Sequence, residues 1–169
     1  MLLTPHTVAG IVIGAAVANP VIAVPAAFFS HFLLDFVPHW DDLGLGKALE
    51  HSQHLSARSF RVVALDALIS LSLVLLFLYW AMPDYGIAAT ILACVVAANL
   101  PDAFYIPLVI LRKRWGWSMW MTEIQKKIQA KSRAPLLLGS LTQLLVVVVG
   151  LLVARQEILI RLPQIWRIL

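Results

Sequence analysis

The sequence predicts an all-α fold: a polytopic integral membrane helical bundle of about five helices, the first short and the fourth broken at a proline, plus an interfacial amphipathic helix. Composition is the first reason. Of 169 residues, 61% are hydrophobic and 13% charged, against roughly 45–50% and 25% in an ordinary soluble domain. Second, long apolar runs recur along the whole length, and the segments between them are too short to hold a second folded core. Residues 1–169 therefore read as a single membrane domain. Third, the net charge of +4 comes from 13 Lys and Arg against 9 Asp and Glu, and much of the excess lies between Arg112 and Arg133. A basic belt of that kind suits anionic headgroups. Membrane lipids are thus the expected partners and nucleic acid is not, while assembly into a homo-oligomer stays open.

Thr4 and Pro5 predict a helix start, with Thr4 as N-cap and Pro5 at the first helical position, where its missing N–H costs nothing. No basic flank or small-residue cleavage site marks a signal peptide, so this helix is expected to stay. Within residues 7–18, Gly10 and Gly14 have the spacing that lets another helix approach closely. Asn19-Pro20 then breaks the run. The apolar stretch is roughly a dozen residues, fewer than the ~20 that cross a bilayer core.

The second helix is expected over 21–37, with Pro25 in its early turns. Pro38 ends it, because the residue before a proline disfavours the helical region. A polar loop, 38–59, leads to a third helix over 60–80, whose one charge after Arg61 is Asp66. A turn at 82–86 opens a fourth helix near Ile87, interrupted by Pro101 and continued over 103–111. The interfacial basic segment, 112–134, carries Trp115, Trp117 and Trp120. Within it, Thr122 and Gln125 are spaced as a capping box, Ile124 and Ile128 share a face, and Lys126, Lys127 and Lys131 suit headgroups. A fifth span, 135–154, precedes a C-terminal amphipathic tail, 155–169. Cys94 lies in an apolar run and has no partner for a disulfide, so it reads as a small packing residue.

The chemistry gathers around residues 30–42, where His31, Asp35, His39, Asp41 and Asp42 end an apolar run. Taking an ionisable side chain into a bilayer costs at least a few kcal/mol, so such residues face a protein interior or a water-filled cavity and mark function. His31 and Asp35 are an i, i+4 pair on one helix face. The positive-inside rule puts 112–133 on the cytoplasmic side, and alternation brings His6, His31, Asp35, His39, Asp66 and Asp102 into one layer near that membrane edge. Imidazole plus carboxylate suits a divalent transition metal, zinc first, and three protein ligands with an open position suit hydrolysis. His6, His31, Asp35 and His39 are the candidate metal ligands. Asp66 and Asp102 either complete the shell or, left unligated, act as the catalytic general base. A structural hydrogen-bonded cluster is the competing reading, and Asp102 could instead cap the helix after Pro101. His51, His54, Arg58 and Arg61 are candidates for holding a substrate headgroup, although solvated loop histidines and flanking arginines explain them equally simply. No Gly-rich phosphate loop, Cys-x2-Cys pair or Ser nucleophile elbow is present.

Ser30-His31-x-Leu33-x-Asp35 followed closely by Pro38, the early His6, and Leu100-Pro101-Asp102 together resemble motifs of the bacterial membrane-bound metal-dependent hydrolase family. The resemblance covers three short patches. It implies a multi-pass metal-dependent hydrolase of the bacterial inner membrane, with those histidines and aspartates as ligands. The family's His-Arg-Gly-x-Thr-His-Ser signature is missing, His51-Ser52-Gln53-His54 standing in a comparable loop, and the order of the Ser-His and Leu-Pro-Asp motifs is reversed. The expectation is therefore hydrolysis of a lipid-like ester or phosphoester near the cytoplasmic edge. An ion or metal transport protein and a non-catalytic membrane subunit are the alternatives.

Overall fold

The computed structural model describes residues 1–17, 19–40, 56–109, 111 and 113–161, and their regular structure is helical. In chain order the helices are α1 (Leu3–Ala16), α2 (Pro20–Asp35), α3 (Ala57–Ala81), α4 (Tyr85–Ala103), the single turn α5 (Ile106–Val109), α6 (Gly116–Ser132) and α7 (Leu136–Arg161). Three of the described helices, α3, α4 and α7, are long and apolar enough to cross a membrane. The 25 residues of α3 reach about 37 Å at the helical rise, more than the ~30 Å of a bilayer core. Their outward faces agree with lipid as solvent: Leu68 is 60% and Leu137 75% exposed, on surfaces that water would leave to aggregate.

The short α1 is the centre of the bundle, packed against α2, α3, α4 and α7. Its glycines explain how. A Cβ on Gly14 would lie 2.6 Å from Ile91 Cα and one on Gly10 2.7 Å from Val95 Cα, so the α1 and α4 backbones touch where the sequence predicts a close approach. Gly14→Ala is expected to destabilise the solubilised protein by about 1–3 kcal/mol, because backbone cannot yield as a side-chain tip can. Gly116→Ala, with nothing within 4 Å of the added carbon, is the control that leaves the unfolding midpoint in place. The α2–α4 seam is likewise built of small side chains, Ala23 and Ala27 against Cys94, Ala97 and Ala98. Cys94 is buried and free, in the packing role expected of it. The larger core sits further along α1, where Ile11, Phe77, Ile91 and Ile158 meet.

Four boundaries differ from expectation, each for a physical reason. Thr4 lies inside α1, which begins at Leu3; the helix start is capped from outside, by Asp66, rather than by Thr4. Pro101 does not break α4, which runs on to Ala103, since a proline near a helix end removes only one carbonyl's partner. Thr122 is interior to α6, which starts at Gly116, so Thr122 and Gln125 form no capping box. Finally, α7 continues to Arg161, so 155–161 extend the last span instead of starting the tail. Arg161 anchors that end by donating to the Ala16 carbonyl.

Candidate functional site

Two helix stripes deliver the site. On α2 the buried residues are Ala23, Ala27, His31 and Asp35, spaced by four, so one face changes from small apolar to ionisable as it nears the helix end. On α1 the stripe is His6, Gly10 and Gly14. Since Gly14 meets Ile91 and Gly10 meets Val95, the helices run antiparallel, and the next step puts His6 beyond Val95, towards Asp102. Thr7 confirms the register, its hydroxyl accepting from Asn99 Nδ2 at 3.1 Å.

His6, His31 and Asp102 each offer a ligand atom, and these atoms lie within 4.8 Å of one another, a group that could hold a metal ion. The two imidazoles are stacked, 4.0 Å between centroids at 19°. His31 Nδ1–H donates to the Ala98 carbonyl at 2.8 Å. A carbonyl only accepts, so this bond fixes the tautomer and turns the Nε2 lone pair towards the group, as in metal-binding histidines. His31 Nε2 is 3.6 Å from Asp102 Oδ1 and 3.5 Å from Asp35 Oδ2, while His6 Nε2 is 3.4 Å from Asp35 Oδ1. These separations exceed ordinary hydrogen bonds. Within the three-residue group, the 3.6 Å between His31 Nε2 and Asp102 Oδ1 is close to the roughly 3.3–3.4 Å edge between ligands held at about 2.0–2.1 Å around a tetrahedral ion. Neither ring nitrogen of His6 makes a hydrogen bond among the described residues, although the side chain is fully buried. The 3.4 Å approach to Asp35 Oδ1 is an ion pair when the ring is protonated, and a neutral buried imidazole left so is costly unless something else is coordinated.

Asp35 flanks the group. Its Oδ1 is 2.9 Å from the Met1 amino group and its Oδ2 3.5 Å from Gln129 Nε2. Gln125 Nε2 lies 3.3 Å from His31 Nε2 and 3.4 Å from Asp102 Oδ1. Both glutamines come from α6, whose buried or half-buried face carries Ser118, Thr122, Gln125, Gln129 and Ser132. The intervals of four, three, four and three residues make a polar seam at helical period.

The other sequence candidates fall elsewhere. Asp66 caps α1: its carboxylate accepts from Leu3 N at 2.6 Å, Thr4 N at 3.2 Å and Thr4 Oγ1 at 2.5 Å. The first turn of a helix has unpaired N–H groups and a positive end, which explains a carboxylate there without catalysis. It holds the turn from which His6 projects. His39 is buried in the strap that leaves α2, with its Nδ1–H on the Val37 carbonyl at 2.7 Å. The strap pairs with the α6–α7 connection through His39 N to Ser132 O and Ala134 N to His39 O, both 3.0 Å. His39 is outside the three-residue ligand group. Arg58 and Arg61 are exposed at the start of α3, the Arg61 Nε donating to its own helix at Ala57 O. His51 and His54 lie outside the described residues, as do Asp41 and Asp42.

No family model matches the chain, and neither a curated protein nor a solved structure matches it.

Proposed function

We propose that this chain is a multi-pass protein of the bacterial inner membrane that binds a divalent metal, zinc, at His6, His31 and Asp102 and hydrolyses a lipid-like ester or phosphoester at the cytoplasmic headgroup level. The observation that carries the reading is the pairing of a lone pair fixed on His31 Nε2 with two carboxylates and a buried, unbonded His6. Two imidazoles and a carboxylate suit zinc and leave a position open. When bound there, the ion would polarise the scissile group and lower the pKa of water. Asp35, beside both imidazoles yet outside the three-residue group, would take the water's proton as general base. Asp66, in this reading, is a positioning residue for α1. The exposed Trp117 and Trp120 on α6 and its Lys127 and Lys131 hold the site at headgroup depth. The early His6, the Ser30-His31-x-Leu33-x-Asp35 patch and Leu100-Pro101-Asp102 supply the three ligands, which favours the family resemblance.

Elemental analysis of protein purified in detergent without chelator is expected to find about one zinc per chain, as a single tetrahedral centre holds. A panel of lipid esters and phosphoesters should then be cleaved by loaded protein and spared after chelation. Absence of bound metal sinks the reading. Metal flux into liposomes without cleavage of any panel member replaces it by transport.

A further inference from the structure

We propose that Gln125 is a fourth ligand of the same ion, supplied by the interfacial helix, so that metal binding fastens α6 to the membrane bundle. This deepens the metal reading above and rests on it. Gln125 is fully buried, and its Oε1 has no hydrogen-bond partner among the described residues. Its amide nitrogen stands 3.3 Å from His31 Nε2 and 3.4 Å from Asp102 Oδ1. These lengths are long for hydrogen bonds and close to the 3.6 Å between His31 Nε2 and Asp102 Oδ1 themselves, so the amide head stands against both of these ligand atoms at once. A half-turn about the last side-chain torsion exchanges nitrogen for oxygen at that position. Without an ion the nitrogen faces the carboxylate and the lone pair, as described; a cation between them reverses the preference and draws the oxygen in.

The ligands would then come from four helices, His6 on α1, His31 on α2, Asp102 on α4 and Gln125 on α6, and the water of the hydrolytic reading would enter as a fifth ligand. The first three belong to helices packed by close small-residue seams, whereas α6 meets the bundle through its polar seam. The ion would therefore add to the ties α6 already has through Met121, Ser118 and Gln129, and is the one that distinguishes a loaded from an empty protein at the membrane surface.

Cobalt(II) tests this in full-length, detergent-solubilised protein, since its visible band reports coordination number as well as binding. Gln125→Ala is expected to weaken cobalt about tenfold or more and to dim and shift the band as water replaces the amide oxygen. Gln125→Glu should restore affinity, because its carboxylate oxygen reaches the same position. In wild type, cobalt should slow amide hydrogen exchange across 116–132, and in Gln125→Ala it should not. Wild-type affinity and spectrum in Gln125→Ala, or weaker binding by Gln125→Glu than by Gln125→Ala, overturns the assignment while leaving the three-ligand site standing. A wild-type protein that takes up no cobalt overturns both. Matching metal-free unfolding midpoints of the two variants separate ligand loss from misfolding.

Discussion

His31→Ala is expected to lower zinc affinity on the order of 100-fold or more, since loss of a group merely supporting a ligand already costs 10–100-fold. The substitution removes more than one contact. The imidazole stacks on His6 at 4.0 Å, bonds the Ala98 carbonyl at 2.8 Å and faces both Asp35 and Asp102. Taking it away leaves two carboxylates converging on a void. His31→Gln keeps most of the volume and serves as the check on folding. Competition against a chelating dye in detergent measures the effect, and wild-type affinity in both variants would end the case for the site.

The largest expected loss of stability is at Gly139. A Cβ there would lie 2.3 Å from Trp40 N and 2.7 Å from His39 C, backbone atoms held on both sides. His39 pairs with Ser132 and Ala134, Trp40 O accepts from Gln143 Nε2 at 2.8 Å, and Thr142 Oγ1 donates to Pro38 O. With no flexible tip to give way, Gly139→Ala should cost about 3 kcal/mol, the upper end for inserting a methyl into packed structure. The effect should spread to the site. Gln143 Oε1 also accepts from Leu2 N at 3.0 Å, linking the strap to the start of α1 near His6. A lowered unfolding midpoint with weakened metal binding is the expected pair of results; an unchanged midpoint would show that the strap can move aside.

How far this was legible from residues alone depends on the kind of signal. His31 and Asp35 could be paired because helical period fixes which side chains share a face, and the Gly10–Gly14 spacing announced a backbone contact. Asp102 and His6 join them in one layer through the positive-inside rule and the alternation of the helices. Asp66 misled because a carboxylate inside a span looks the same in sequence whether it binds an ion or caps another helix's first turn. That distinction depends on which helix lies alongside. Gln125 stands out in the sequence only as a capping-box partner and Gln129 not at all, because glutamine is an ordinary helix former and the lysines around them mark the opposite face. The signal existed in the five-residue polar repeat of Ser118, Thr122, Gln125, Gln129 and Ser132. The end of α7 was misplaced because Arg155 looked like the membrane limit, whereas the helix itself continues for another turn and more.

That repeat has a bearing on how anything enters. Prising α1 from α4 would tear apart backbones in direct contact, and separating the leucine-rich spans would open a vacancy that nothing wets. Lifting α6 instead uncovers the hydroxyls and amides of that seam together with the buried Met121, so opening costs less than parting a wholly apolar cover of similar size. The bundle is thus more polar where α6 covers it than where its long helices meet. On the proposed hydrolytic reading, water would reach the group of His6, His31 and Asp102 from this side.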